Sequence, residues 1–158
     1  MENNYYKFIT RWKIEASIND VWYAIYKSEE WPNWWKGVIQ VKIIKENDEQ
    51  GINGIRQYKW KSLLPYTLSF KMQLIEKRDF VFLKGIAVGE LEGDGTWYFK
   101  EENAITNIQY NWNVKTNKAW MNYFAIILKP IFKFNHNIIM KWGAEGLAKK
   151  LNAKLISV

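Results

Sequence analysis

One histidine and a closely spaced pair of carboxylates are the residues of this chain best suited to acid–base chemistry. His136 is the only histidine, and an imidazole with its ordinary pKa of about 6.5 can exchange protons near neutral pH. Glu90 and Glu92 are two residues apart, so on a continuing strand both carboxylates point to the same face. His136 and Glu90 are therefore our candidate catalytic residues. The competing interpretations are a hydrogen-bonded helix histidine and a solvated acidic edge, and we favour these for both.

Other chemistries are excluded by the residue types that the chain contains. The chain has no cysteine, which removes disulfides, thiolate metal ligands and thiol nucleophiles. A multi-histidine zinc centre is excluded by the single histidine, and the preceding Asn135 does not compensate because amides are poor zinc ligands. No serine lies in a G-x-S-x-G elbow. We predict that the protein uses no metal and no cofactor.

Aromatic residues are unusually abundant, with ten Trp, nine Tyr and eight Phe. Many fall on one alternation phase of successive predicted strands, which places their rings on the same side of a sheet. A filled core and a lined pocket share this pattern, so both interpretations stay open. The rings concerned are Tyr58, Trp60, Phe70, Trp97, Phe99, Tyr110 and Trp112.

Arg56 lies on the same phase as Tyr58 and Trp60. A guanidinium at that position suits an acidic ligand group. A strand-end side chain in solvent is the interpretation that we favour.

Alternating apolar and polar residues predict a largely antiparallel sheet. The segment 8–16 reads as a half-buried strand, and a short helix follows it and ends near Lys27. The segment 31–37 combines Pro32 with a terminal glycine and predicts a second short helix or turn. Six further strands complete a predicted seven-stranded sheet, at 38–45, 55–61, 66–76, 80–88, 95–100 and 105–115.

The last part of the chain predicts one long amphipathic helix over 119–151. Large apolar residues recur there every three or four positions, and we expect them to cover the sheet. Pro130 removes a backbone donor, so we also expect a kink at 126–130. The predicted apolar stripe consists of Trp120, Phe124, Ile127, Ile131, Phe134, Ile138 and Trp142.

Several short motifs occur in the order and separation typical of one known family. They are Val21-Trp22, Trp31-Pro32-Asn33-Trp34-Trp35, Gly89-Glu90-Leu91-Glu92-Gly93 with Gly95 and Trp97, and Asn135-His136 with Met140 and Gly143-Ala144-Glu145-Gly146-Leu147. With these motifs the chain resembles the polyketide cyclase-like branch of the START-related helix-grip superfamily (SRPBCC). The resemblance implies an α+β helix-grip fold over 1–158, as one domain, whose curved antiparallel sheet wraps around the C-terminal helix.

The resemblance also implies a deep apolar cavity between sheet and helix. Members of the superfamily use this cavity for lipids, sterols, polyketides and plant hormones, and sometimes for catalysis, so the fold does not fix the function. Trp31, Trp34 and Trp35 correspond to the mouth of such a cavity, as a gate or, in the interpretation we favour, as packing against the sheet. The predicted ligand-binding residues are Tyr58, Trp60, Phe70, Met72, Trp97, Phe99, Tyr110, Trp112, Trp120, Phe124, Asn135, His136 and Met140.

Three functions remain open from the sequence. The first is a binding protein for a hydrophobic or aromatic, lipid- or polyketide-like small molecule, with His136 or Tyr110 as a polar anchor. The second is a cofactor-independent cyclase or dehydratase-like enzyme that uses His136 as general acid and base. The third is an interaction module whose basic surface or exposed tryptophans engage a protein or a membrane.

Charge and hydropathy narrow the expected partners and location. The net charge is +7, but the lysines are scattered rather than clustered, so we expect no nucleic-acid partner. Lys129, Lys133 and Lys141 interrupt the most apolar stretch, 119–142, so we expect no integral membrane segment. The first residues lack the pattern of a secretory signal, which favours a cytoplasmic protein. We expect a monomer or a weak homodimer.

Overall fold

A computed structural model describes residues 4–158. Its strands and helices follow the predicted order, from an N-terminal strand through two short helices and a series of strands to a long C-terminal helix. The strands are β1 (Tyr5–Glu15), β2 (Val38–Lys45), β3 (Ile55–Lys61), β4 (Thr67–Arg78), β5 (Phe82–Gly89), β6 (Leu91–Glu102), β7 (Ile105–Thr116) and β8 (Lys154–Ser157). The helices are α1 (Ile18–Tyr26), a 3-10 helix (Ser28–Asn33), α2 (Ala119–Tyr123) and α3 (Ala125–Lys150).

All strands join one antiparallel sheet in the order β2-β3-β4-β5-β6-β7-β1-β8. The predicted α+β helix-grip architecture is confirmed, with one correction to the strand count. We expected seven strands, and the described chain has eight. The additional strand, β8, pairs with the end of β1 after α3. Its four residues are too short to show a clear alternation in the sequence.

The first helix begins as its sequence predicts. The Ser17 side chain accepts a hydrogen bond from the backbone N–H of Asp20 at 3.2 Å, which caps the helix. Val21, Trp22 and Ile25 are buried beneath the helix. The 3-10 helix then carries Trp31 back into the core of the protein, where its indole N–H donates to the Ala24 carbonyl.

The predicted orientation of the long helix is wrong. We expected the large apolar stripe to face the sheet, but Trp120, Phe124, Ile127, Ile131 and Phe134 are all exposed. The buried side carries smaller or polar residues for much of its length, which a search for large apolar side chains passes over. It consists of Met121, Ala125, Phe132, Asn135, Met140, Gly143, Ala144, Leu147 and Ala148.

Close approach explains why small residues face inward on the second half of α3. A Cβ atom added to Gly143 would lie 2.4 Å from the Trp35 indole, and one added to Gly146 would lie 2.0 Å from the Trp34 carbonyl oxygen. Only glycine permits this separation. The indole N–H of Trp35 also donates to the Ile139 carbonyl at 2.9 Å, which fixes the helix against the short-helix region.

The helix is interrupted earlier than the sequence led us to expect. The break lies at Phe124, between α2 and α3, and α3 runs through Pro130. Pro130 withholds a donor from the carbonyl of Ile126. Because Ile126 lies on the solvent side of the helix, water can satisfy that carbonyl.

Candidate functional site

A cavity of about 200 Å³ lies between the concave face of the sheet and α3. Strand β1 and strands β3 to β7 supply most of its wall, and the helices with their connecting segments supply the rest. The lining is predominantly apolar and aromatic. It includes Trp31, Trp35, Tyr58, Trp60, Leu68, Phe70, Met72, Leu83, Leu91, Trp97, Tyr110, Trp112, Phe132, Ile139 and Met140.

Stacked rings form the sheet side of the cavity. Trp97 and Tyr110 lie face to face with centroids 4.1 Å apart, and Tyr110 stacks on Trp112 at 5.7 Å. Gly95 makes this arrangement possible, since a Cβ atom there would meet the Tyr110 hydroxyl at 2.5 Å. Rings that belong to neighbouring strands can thus lie flat against the sheet rather than fill the interior.

Trp31 and Trp35 form the base of the cavity rather than a gate. Both are buried, and their ring centroids lie 5.0 Å apart. Trp35 packs against Trp60 on β3 and Trp12 on β1. These contacts agree with the packing interpretation and hold the 3-10 helix to the sheet.

One end of the cavity carries the Arg56 cluster, which we define as Tyr26, Ser28, Asn47, Arg56 and Tyr58. Its polar side chains bond to one another and to nearby backbone. The Tyr58 hydroxyl donates to Ser28 Oγ at 2.7 Å, and Asn47 Nδ2 donates to the Tyr26 hydroxyl at 3.0 Å. Burial raises the pKa of Tyr58 to about 12, so the phenol is protonated at neutral pH.

Arg56 belongs to this cluster and does not lie in solvent as we favoured. Its side chain is only 11% exposed. The guanidinium donates to the Lys45 carbonyl at 2.8 Å and faces the carboxylates of Glu29 and Glu46 at 3.7 and 3.5 Å. The alternation phase that aligned Arg56 with Tyr58 and Trp60 identified its inward direction correctly, and two acidic partners stabilise the charge there.

A second set of cavity-lining side chains has polar atoms without partners. We call it the His136 group, and it consists of Tyr6, Trp60, Asn135 and His136. The Tyr6 hydroxyl, the Trp60 indole N–H, Asn135 Oδ1 and both His136 ring nitrogens are buried with no hydrogen-bond partner among residues 4–158. A buried polar atom left in this state costs on the order of 1–3 kcal/mol.

The ring of His136 is held in place by stacking. It lies parallel to the Phe8 ring with centroids 3.8 Å apart. Burial lowers the pKa of His136 to about 4, so its imidazole is neutral at pH 7. A neutral imidazole has one donor and one acceptor nitrogen to offer to the cavity.

Most of the predicted ligand-binding residues line the cavity. These are Tyr58, Trp60, Phe70, Met72, Trp97, Tyr110, Trp112, Asn135, His136 and Met140. Three others do not. Phe99 lies on the same face of β6 as Trp97 but is buried against Trp22 of α1, outside the cavity lining, whereas Trp120 and Phe124 lie on the exposed face of the C-terminal helices.

Glu90 lies away from the cavity, in the turn between β5 and β6. Its carboxylate accepts a hydrogen bond from the Ser69 backbone N–H at 2.6 Å and pairs with Lys118 at 3.2 Å. Glu92 is also outside the cavity, where a hydrogen bond from Asn117 and the charge of Lys115 hold the pKa of its carboxyl below the usual range. The pair forms the solvated acidic edge that we favoured and is too remote to act with His136.

Sequence reasoning missed several lining residues. Tyr6 and Phe8 extend the phase of β1 into the cavity, and Tyr66 and Phe132 close its other side. Extending the β1 alternation by two residues would have found Tyr6. Phe132 was hidden by the wrong helix orientation.

The described residues also bear on the predicted absence of metal ions and of a membrane-spanning segment. No cluster of three or more His, Cys, Asp or Glu side chains suited to a metal ion occurs in the described part of the chain. Among residues 4–158, no helix is long and apolar enough to cross a membrane.

Solved structures share this architecture. The chain superimposes on the aromatase/cyclase Zhui of a Streptomyces species with a TM-score of 0.73 and 10% identity, covering 94% of each chain. It matches a START superfamily protein from Mycobacterium smegmatis with a TM-score of 0.74 and 10% identity, covering 92% of this chain and 97% of that one.

A third similar structure is the di-domain ARO/CYC protein BexL, with a TM-score of 0.76 and 13% identity. This chain is covered over 96% of its length but spans only 52% of BexL. No protein-family model and no curated protein sequence matches the chain. Taken with the sheet order, the structural matches show that the chain has the helix-grip fold of these proteins.

Proposed function

We propose that the protein binds a small hydrophobic or aromatic molecule in the cavity between sheet and α3. The observation that carries the proposal is an aromatic cavity of about 200 Å³ that also holds the unpartnered polar atoms of the His136 group. An apolar pocket with a few convergent polar groups is the usual form of a small-molecule site. Rings supply the area for binding, and the polar atoms supply orientation.

The cavity volume favours a compact guest. Pockets for drug-sized ligands measure about 300–1,000 Å³, whereas an apolar cavity of about 150 Å³ holds a single benzene ring. A molecule of one or two fused rings, or a short acyl chain, therefore fits the cavity volume of about 200 Å³. A larger lipid- or polyketide-like ligand requires α3 to move away from the sheet.

The His136 group favours a guest with a polar substituent. A hydroxyl or carbonyl near Asn135 and His136 would satisfy atoms that the protein leaves without partners. Each hydrogen bond of this kind contributes about 0.5–1.5 kcal/mol, or roughly a two- to tenfold gain in affinity. Tyr58 and Arg56 contribute less, since their polar atoms are already bonded within the protein.

A catalytic role for His136 is the second candidate, because aromatase/cyclases share the fold and His136 lines the cavity. A general base works best when its pKa is near the working pH. Burial instead lowers the pKa of His136 to about 4. Glu90 is outside the cavity and supplies no second carboxylate. These features favour binding over proton transfer.

Filling the cavity tests the proposal directly. Leu68→Trp places an indole into the cavity from β4, and Val88→Trp adds the same group at an exposed position on β5. Equilibrium dialysis with 1-naphthol should show loss of binding for Leu68→Trp and unchanged binding for Val88→Trp. Equal binding by both variants, at unchanged thermal stability, would place the ligand elsewhere and overturn the proposal.

The polar anchor is tested by comparing two probes of the same shape. Unsubstituted naphthalene lacks the hydroxyl of 1-naphthol, so the parent protein should prefer 1-naphthol by roughly two- to tenfold. His136→Leu and Asn135→Leu should each reduce that preference while keeping naphthalene affinity. If the preference survives in both variants, the His136 group does not orient the guest. Turnover of a polyketide-like substrate that disappears in His136→Gln would favour the enzyme instead.

A further inference from the structure

The outer face of the C-terminal helices carries a large apolar surface. Tyr123 is 84% exposed, Ile126 77%, Ile127 72% and Phe134 66%. The α3 members recur at three- and four-residue spacing, so they share one face of that helix. Monomeric proteins rarely expose so many large apolar side chains together unless the surface binds something. We call this surface the outer helix patch, and it comprises Trp120, Tyr123, Phe124, Ile126, Ile127, Pro130, Ile131 and Phe134.

Lysines predominate in the segment that carries the patch. No Asp or Glu occurs in residues 103–144, whereas Lys118, Lys129, Lys133 and Lys141 do. Of these, Lys118 pairs with Glu90 and Lys141 lies 4.0 Å from Glu145. Lys133 follows Ile126 by seven residues and Pro130 by three, which places it along the edge of the patch on α3. Lys133 has no carboxylate within ion-pair distance in the described chain. Lys129 instead is half-buried, with its ammonium 5.3 Å from the centroid of the Tyr6 ring, which lines the cavity. A surface that covers the patch must therefore accept apolar, aromatic and cationic side chains at once.

We propose that the outer helix patch docks the protein onto an anionic lipid bilayer. Apolar side chains flanked by lysines, with Trp and Tyr at the margin, suit the boundary between acyl chains and negatively charged headgroups. A second copy of the chain fits less well, because a two-fold contact through the patch brings the lysines of both copies together without acidic partners. The docking face is a surface separate from the internal cavity.

The patch is contiguous with the wall of the cavity. The centroid of the Trp120 ring lies 5.2 Å from that of Tyr66 and 6.2 Å from that of Phe132. Tyr66 and Phe132 both line the cavity. The break between α2 and α3, at Phe124, lies four residues after Trp120 in the same patch. Docking through the patch therefore brings a hydrophobic phase next to one end of the cavity.

Vesicle sedimentation tests the docking. We expect the protein to pellet with phosphatidylcholine vesicles that contain about one third phosphatidylglycerol, and to release from them in about 0.5 M NaCl. Lys133→Glu should weaken binding by at least about tenfold, and Ile127→Glu with Phe134→Glu should abolish it. The matched control, Ile9→Glu with Val88→Glu, replaces exposed apolar residues on strands β1 and β5, and it should bind vesicles as the parent protein does.

A labelled cysteine locates the contact. The chain has no cysteine, so Ile127→Cys and Val88→Cys each accept a single acrylodan probe. Emission should shift to the blue on addition of anionic vesicles for Ile127→Cys only. Absence of pelleting, equal pelleting of the control and patch variants, or equal shifts for both labels would overturn the proposal. So would a dimer in sedimentation equilibrium that Ile127→Glu dissociates, since the patch would then bind a second copy.

This outcome is separable from the ligand proposal. The patch variants alter residues outside the cavity lining, so 1-naphthol binding in solution should be unchanged in them. Conversely, Leu68→Trp should no longer bind 1-naphthol but should still sediment with the anionic vesicles.

Discussion

The Arg56 cluster and the His136 group line the same cavity but differ in whether their polar atoms have hydrogen-bond partners. Arg56 and Trp60 are four residues apart on β3, which separates them by about 13 Å along the strand. In the Arg56 cluster the hydroxyls, the amide and the guanidinium find partners in the protein. In the His136 group, imidazole, amide, phenol and indole atoms are buried without any among the described residues.

This difference has opposite consequences for stability at the two ends of one pocket. Satisfied polar groups fix the position of the 3-10 helix relative to β3, because the Tyr58 hydroxyl bonds Ser28 and Arg56 faces Glu29. Unsatisfied groups stabilise nothing in the protein alone, and natural proteins keep such groups mainly where they meet a ligand. Substitutions in the two sets should therefore change stability in opposite directions.

The largest expected effect is at Arg56. Arg56→Met keeps the length of the side chain but removes the charged donor from the Lys45 carbonyl and leaves Glu29 without its partner. We expect the free energy of unfolding to fall by about 2 kcal/mol, since a charge-assisted hydrogen bond contributes about 1.5–3 kcal/mol and Glu29 is partly screened by solvent. Urea denaturation measures it.

Arg11→Met is the matched control, because Arg11 is exposed and bonds only Gln109 in the described structure. It should stay within about 0.5 kcal/mol of the parent protein. If both variants lose the same stability, the Arg56 cluster has no special structural role, and the proposed contrast with the His136 group is wrong.

Asn135 should respond in the opposite direction. Asn135→Leu replaces a buried acceptor without a partner by an apolar group of similar size. We expect stabilisation by about 1 kcal/mol, measured by urea denaturation of the ligand-free protein, because the desolvation penalty of the amide is removed.

Asn19→Leu is the control for this change, since Asn19 is exposed on α1, away from the cavity. Its stability should remain close to that of the parent. A loss of more than about 1 kcal/mol in Asn135→Leu would mean that the amide supports the fold, and the contrast between the two sets would disappear.

The sequence predicted the sheet and the fold around the cavity better than it predicted which side chains line the cavity. Strand alternation aligned Tyr58, Trp60 and Trp112 on one face, and the order of the motifs indicated the helix-grip fold. It could not predict the orientation of α3, because the large residues of that helix lie on the outer face and its inner face depends on close contact between Gly143 and Trp35. Likewise, the burial of Arg56 depends on Glu29 and Glu46, which reach it from other parts of the chain.

The smallest expected effect is the pH dependence that His136 imposes on stability. Burial lowers the pKa of this imidazole in the folded protein to about 4, from about 6.5 in an unfolded chain. Between these values the unfolded chain takes up a proton that the folded chain does not. The contribution of His136 is therefore fully present above about pH 6.5, and it decreases as the pH falls toward about 4.

From about pH 7.5 to about pH 6 this linkage should lower the free energy of unfolding by about 0.8 kcal/mol. His136→Phe keeps a ring against Phe8 but has no titrating group, so urea denaturation should show a flatter profile across the same range. His136 is the only histidine in the chain, and carboxyl groups titrate mostly at lower pH. If the two profiles coincide, the imidazole has a partner that keeps its pKa ordinary, and the His136 group is satisfied in the same way as the Arg56 cluster.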